Sequence, residues 1–407
     1  MSYPTVVAFD TDMTLWIGLL NFITWGRGWG ASMIQEDNIE RIDRYQLRDR
    51  SNLMNVIELA VDVPNIISDV LQNNAKLAIV SRNLSKAMCD RALYYFSTIK
   101  PDGSEASIIH MVNYDEVVNE SKANHFRRIA SWSGADYSEM LMFDDEGMNN
   151  VVRIELGTTF QIVNGGMGLN WGIYQLGLAA WRRARSLMIP SNPSGILNRQ
   201  LIGYSGLPNS WIDLVRKGEG IVETEIPYRW GFGLYVTSSM DIAKYFSGLN
   251  GSWDPAEQSH VCEVWVKDYD AWLNVQKIWI AENGILQQMN NQMISPEEAG
   301  QNQENRDNFI AGTWGVWTPY VTFCQHFWMN DMPGIPFQRW SEMVIPTQVY
   351  RALIDLNVLS DALANRNFGL DAGPFPLQIK TWGIQPTDEA RAEFLRYGES
   401  EMLLLSL

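Results

Sequence analysis

Cysteine is scarce in this chain. Cys89, Cys262 and Cys324 are the only three among 407 residues, lie far apart and form no CxxC pair. That excludes a disulfide framework and points to a reducing, cytoplasmic compartment. Basic charge is also in deficit, with 31 Lys and Arg against 47 Asp and Glu for a net charge of −16. Such a balance argues against a nucleic-acid or anionic-membrane surface and leaves room only for a local basic pocket. No apolar run reaches the length of a membrane span, and the opening MSYPTVVAFD lacks the basic-then-apolar order of an export leader. A soluble intracellular protein is expected.

Apolar and aromatic residues are plentiful, at 46% and 12%. A chain of this length exceeds what one hydrophobic core serves, so two domains are expected. Many of the 17 tryptophans stand beside glycine (Trp25, Trp29, Trp171, Trp230, Trp314), which suggests rings packed on tight turns and in the core.

Short apolar runs at 5–9, 76–81, 107–112, 139–143 and 158–163 read as buried parallel strands. Between them, 51–72, 84–97, 121–134, 146–156 and 169–187 read as helices, an alternation that predicts an α/β sheet. Residues 17–75 are short for a full cap domain, and LLNFITWGRGWG suggests a small lid or aromatic wall. IPSNPSG at 189–195 has linker composition. The boundaries expected are therefore 1–187, a linker at 188–197, and a second domain at 198–407. There, pieces at 200–205, 233–237, 260–267 and 342–345 read as strands of an α+β domain. The Asn/Gln-rich stretch 285–310 reads as a long exposed loop.

The first strand runs straight into Asp10-Thr11-Asp12-Met13-Thr14-Leu15-Trp16. KLAIV ends in Ser81-Arg82-Asn83, and EMLMF ends in Asp144-Asp145-Glu146. Open α/β sheets bind ligands at this carboxyl edge. Two acidic clusters meeting there require a hard cation with oxygen ligands, for which Mg²⁺ is suited. Taken singly, a strand-end Asp or Ser also serves as a helix cap, and Lys122 as a solvated lysine. His125 reads as a packing residue.

In order, FDTDMTLW, VSRN, the lysine of SKANHF, and MFDDE with NNVVRIELG resemble the four motifs of the haloacid dehalogenase superfamily. TLW, KxxHF, FDDE and VNGGMGL are similar to its magnesium-dependent acid phosphatase branch, over roughly residues 4–186. The resemblance implies a Rossmann-like domain in which Asp10 is the nucleophile and Asp12 the general acid and base. It implies further that Ser81 and Lys122 hold the phosphoryl group, and that Mg²⁺ sits on Asp10, the Asp12 carbonyl and the Asp144/Asp145 pair. Of that pair Asp145 is favoured for direct contact. Asn83 departs from the family, where threonine is usual.

In the second domain, LIGYSG, GFGLYVT and EMVIP resemble, more loosely, the three strand motifs of ADP-ribosyltransferases of the poly(ADP-ribose) polymerase and diphtheria-toxin type, over about 198–355. The resemblance implies NAD as ligand, Tyr235 stacked on nicotinamide, Glu342 as the catalytic carboxylate, and Tyr204 where a histidine is usual. Glu342 paired with Arg339 or Arg351 is the other reading of that residue. The function expected is a bifunctional enzyme that removes phosphate from a small metabolite or nucleotide and binds or cleaves NAD. The alternative is a phosphatase whose second domain only binds a nucleotide or protein.

Overall fold

The computed structural model describes residues 2–188, 198–222, 231–253, 257–282, 284, 286, 295–327, 339–360 and 375–396. The chain falls into two compact units: residues 1–152 with 158–182, and residues 153–157 with 183–407. The stretch expected as a linker lies, from residue 189 to its end, outside the described residues.

The first unit is built on a five-stranded parallel sheet. Its order is Thr159–Ile162, Met140–Asp144, Val6–Phe9, Lys76–Ser81, Val112–Val117. Val6, Val7, Ala8 and Phe9 have no exposed surface, as a central strand covered on both faces requires. The helix Val63–Gln72 begins with Pro64 in its first turn and buries Val63, Ile66, Ile67 and Val70, a single stripe at helical spacing. Lys86–Tyr95 starts where the Ser85 side chain accepts the N–H of Met88. Lys122–Ser133 and Trp171–Ser186 complete the helices around the sheet.

Four expectations for this unit need correction. Residues 108–111 form a 3-10 turn, and the strand is the following Val112–Val117. That strand lies at the sheet edge, where one side meets water and polar residues fit. Residues 51–62 are not helical; Val56–Leu59 pairs with Trp16–Ile17 and Gln46–Asp49, and the latter pairs with Ile39–Arg41. The 17–75 insertion thus holds a small four-stranded antiparallel lobe, followed by the helix Val63–Gln72. Residues 147–150 form a 3-10 turn before the short helix Val151–Leu156. Trp25 is buried, but Trp29 is 99% exposed and so packs on none of the described residues. Trp230 lies outside the described residues.

The second unit holds an eight-stranded mixed sheet in the order Ile354–Val358, Ser259–Val266, Gln200–Pro208, Leu234–Thr237, Arg339–Ile345, Tyr320–Phe327, Gln276–Trp279, Ile384–Pro386. One face carries the larger core, including Ile202, Leu234, Val236, Val264, Phe323 and Met343. The other carries two smaller clusters, one around Tyr204, Ala243, Val261 and Leu359, the other around Ile278, Ile310, Cys324 and Val344.

The later part of the Asn/Gln-rich stretch is corrected too, because Pro296–Trp314 is a helix; residues 285 and 287–294 of that stretch lie outside the described residues. Ser295 and Glu298 form a capping box with Pro296 at the first position. Its inward side carries charge beside Ile310: Glu304, Arg306 and Asp307 are buried, and Asp307 accepts from the Tyr320 hydroxyl and pairs with Arg153. Cys89, Cys262 and Cys324 are all buried, and among the described residues none of them forms a disulfide. Among the described residues no helix is long and apolar enough to cross a membrane.

Candidate active site

Three strands of the first unit end at one edge in polar residues: Val6–Phe9 leads into Asp10, Lys76–Ser81 ends in Ser81, and Met140–Asp144 ends in Asp144. Phe9 lies level with both Phe143 and Ile79, so parallel register brings Asp10 and Asp144 side by side. The Asp10 N–H donates to Phe143 O at 3.0 Å, extending that register past the strand end. Met13 then takes a left-handed backbone, φ +58°, a conformation L residues rarely adopt, immediately after Asp12.

Carboxylate oxygens of Asp10, Asp144 and Asp145 come within 4.8 Å of one another. Lys122, 1% exposed, stands 3.0 Å from Asp10 Oδ1 and ion-pairs with Asp144 Oδ2. Burial pulls its pKa down, but the charges of Asp10 and Asp144 outweigh that and raise it, so it stays an ammonium. Asp144 has no exposed surface. Its Oδ1 accepts the Glu146 N–H at 2.8 Å, and Asn149 Nδ2 reaches both of its oxygens at 3.0 Å. Burial drives Asp144 up to about 7, against the pull of Lys122. Asp145 rises to about 6, through burial first and then the charges of Asp10 and Glu146. Asp145 accepts Thr14 Oγ1 at 3.3 Å. Gly165 closes over it: a Cβ there would lie 3.1 Å from Asp145 Oδ2, tighter than ordinary contact.

Asp12 faces the same edge. Its Oδ1 accepts Trp16 Nε1 at 2.7 Å and the Leu20 N–H at 2.8 Å, and its Oδ2 accepts Asn83 Nδ2 at 2.8 Å. Burial raises its pKa despite these donors. Ser81 Oγ lies 2.6 Å from Thr11 Oγ1. The residues of the four N-terminal motifs thus gather in one place. Sequence reasoning passed over Asn149, Thr14, Trp16 and the role of Asn83. Asn149 stood in the quoted MFDDE–NN text, where a short amide three residues past the acidic run was a usable signal. His125 is fully buried behind the site, its Nδ1 3.1 Å from Glu116 O, as a packing residue should be.

In the second unit, Tyr204 pairs with Thr237 and Thr237 with Glu342 across three neighbouring antiparallel strands. Directly opposed residues share a face, and Tyr235, two residues before Thr237, shares it too. Tyr204 is fully buried among Ala243, Val261 and Leu359, which leaves its ring no surface to offer a ligand. Tyr235 is half-buried, and its hydroxyl donates to Gly231 O at 3.0 Å. Glu342, 7% exposed, accepts Trp340 Nε1 at 3.0 Å. Arg351 donates instead to the carbonyls of Leu156 and Gly218, and the Arg339 side chain lies outside the described residues. A small cleft open to solvent is lined by residues that include Phe232, Gln303, Asp307, Thr322 and Val344, the last being the cross-strand partner of Tyr235; Tyr204, Tyr235 and Glu342 are not among its lining residues.

Comparison with known proteins bears on the first unit. Residues 2–184 match the family model described as Acid Phosphatase. A HAD-like hydrolase superfamily protein of Schizosaccharomyces pombe is 29% identical over 161 residues, which is 39% of this chain and 86% of that protein. By these findings the N-terminal region is similar to HAD-like phosphatases. Among solved structures, the N-terminal part of a Bacteroides fragilis protein containing a phosphatase domain, complexed with Mg, aligns at 16% identity and a TM-score of 0.29. That alignment covers 43% of this chain and 40% of the solved one, a likeness too loose to bear on function. The ADP-ribosyltransferase resemblance of the second unit draws no support from these relatives.

Proposed function

We propose that the first unit is a Mg²⁺-dependent phosphomonoesterase acting through an aspartyl-phosphate on Asp10, with a small phosphorylated metabolite or nucleotide as substrate. The meeting of the Asp10, Asp144 and Asp145 carboxylates beside a buried lysine carries this reading. Three carboxylates so close repel one another unless a cation stands among them, and an all-oxygen donor set is what Mg²⁺ takes. Asp10, Asp145 and the Asp12 carbonyl would hold it. Asp144, whose oxygens already receive Glu146, Asn149 and Lys122, serves better to orient. Bound there, the cation offsets the charge between nucleophile and phosphate.

Asp10 Oδ attacks phosphorus while Asp12 gives its proton to the departing oxygen. Asp12 then takes a proton from the water that hydrolyses the acyl phosphate. The Ser81 hydroxyl and Lys122 ammonium hold the phosphoryl oxygens through both steps. Asp10→Asn removes the attacking charge at nearly constant size. It is expected to abolish Mg²⁺-supported hydrolysis of an aryl phosphate in a protein with an unchanged circular dichroism spectrum. Appreciable turnover by the folded variant would falsify the mechanism.

For the second unit we infer a ligand-binding role, with NAD or a related nucleotide as occupant. The adjacency of the three motif strands and the cleft beside Tyr235 support it. Tyr204, fully buried, would take no part in that binding; its standing where a histidine is usual in the transferases favours binding over cleavage.

A further inference from the structure

Asn83 follows the strand Lys76–Ser81 by two residues, and its amide is engaged at both ends. Nδ2 lies 2.8 Å from Asp12 Oδ2 and 2.9 Å from Leu20 O, while Oδ1 accepts the Ser85 N–H at 2.9 Å. Its own N–H donates to Ser81 Oγ at 3.2 Å. Trp16 and Leu20 hold Asp12 Oδ1 from within the same segment of chain. Among the described residues, Asn83 alone holds Oδ2, and it does so from the neighbouring strand's end.

We propose that Asn83 is the residue that positions the general acid. It fixes the rotation of the Asp12 carboxyl group and, through the Leu20 carbonyl, ties that aim to the antiparallel lobe. The proposal rests on the aspartyl-phosphate reading. There, a bond forms from Asp10 Oδ to phosphorus as the bond from phosphorus to the ester oxygen breaks. The electron pair of the broken bond stays on that oxygen, and the Asp12 proton neutralises it. An oxygen that leaves readily as an anion hardly needs the proton, whereas a basic one depends on it. Misaiming the acid therefore penalises poor leaving groups selectively, which a loss of fold or of phosphate binding does not.

Phenyl phosphate and 2,4-dinitrophenyl phosphate, a poor and a good leaving group, test this in the full chain with Mg²⁺. In Asn83→Ala the ratio of kcat/KM for phenyl over dinitrophenyl phosphate is expected to fall about tenfold or more, a share of the ~10²–10⁴ that general acids supply. Asn83→Asp, equal in size but presenting no amide donor to Asp12, is expected to lower the ratio at least as far. It carries the test should the alanine variant fold poorly. An unchanged ratio in the folded variants, through equal losses or none, overturns the role of Asn83 and leaves the phosphatase reading standing. A wild-type protein that turns over neither ester overturns the phosphatase reading itself.

Discussion

The ammonium of Lys122 lies 3.0 Å from Asp10 Oδ1 and pairs with Asp144 on its other side, although only 1% of its side chain reaches solvent. The lysine is therefore the counter-ion that lets two buried carboxylates coexist and, in the proposed mechanism, the charge that faces the phosphate. Lys122→Met removes both functions. Breaking a buried pair from one side costs about 3–5 kcal/mol. The variant is expected to lose that much in urea unfolding and to lose activity at least ~100-fold. Unfolding curves and aryl phosphate rates that match the wild type would remove Lys122 from the site.

Proton linkage at the carboxylates gives a second test. Asp145 at about 6 and Asp144 at about 7 are held up chiefly by burial. An unperturbed aspartate titrates near ~4. With folded pKa values above unfolded ones, the stability these groups contribute to the metal-free fold is full below pH ~4 and lost as pH climbs through 6 to 7. A cation needs the ionised forms, so Mg²⁺ should bind with proton release and tighten from pH 5 to pH 8. The expected gain is tenfold or more, about one decade per pH unit for each proton displaced. Calorimetric titration at both pH values measures it; pH-independent affinity without proton release contradicts the assignment.

For the second unit, Glu342→Gln separates cleavage from binding. Glutamine keeps an acceptor for Trp340 Nε1 and removes the charge. If the carboxylate stabilises a cationic transition state, nicotinamide release from NAD should fall by roughly 100-fold or more at nearly constant NAD affinity. Tyr235→Ala should weaken affinity instead, by removing a ring face. NAD binding with no nicotinamide release by the wild type selects the binding module, and no NAD binding at all discards the nucleotide reading.

Ser295→Ala tests the unexpected helix. The serine accepts the Glu298 N–H at 3.2 Å and Glu298 reaches back to the Ser295 N–H at 3.1 Å. Removing the cap is expected to cost about 1 kcal/mol, read as a lowered urea midpoint for the transition of the second unit. No shift there would mean that the box does not hold the helix.

The site was legible because a buried parallel strand is an unbroken apolar run, and the first polar residue after it marks the sheet edge. Asp10, Ser81 and Asp144 each announce themselves that way. Pro296–Trp314 did not, because its inward side includes Glu304, Arg306 and Asp307, and Asp307 is buried against Arg153, a partner remote in the chain, and Tyr320. The lobe strands were hidden for another reason: at two to four residues, carrying Glu40, Arg48 and Glu58, they are too short and charged for periodicity to register. The task of Asn83 exists only once Leu20 and Asp12 have been folded against it.

The three buried thiols make the chain its own unfolding gauge. Cys89 belongs to the first unit, Cys262 and Cys324 to the second, and burial lifts the thiols of Cys89 and Cys262 far from their reactive form. A thiol reagent should therefore meet a silent native surface. Under pulsed labelling in rising denaturant, the mass tag on the Cys89 peptide times the opening of one unit, and the tags on the other two peptides time the second. The order in which the two halves come apart can thus be read from unmodified protein, without cutting the chain.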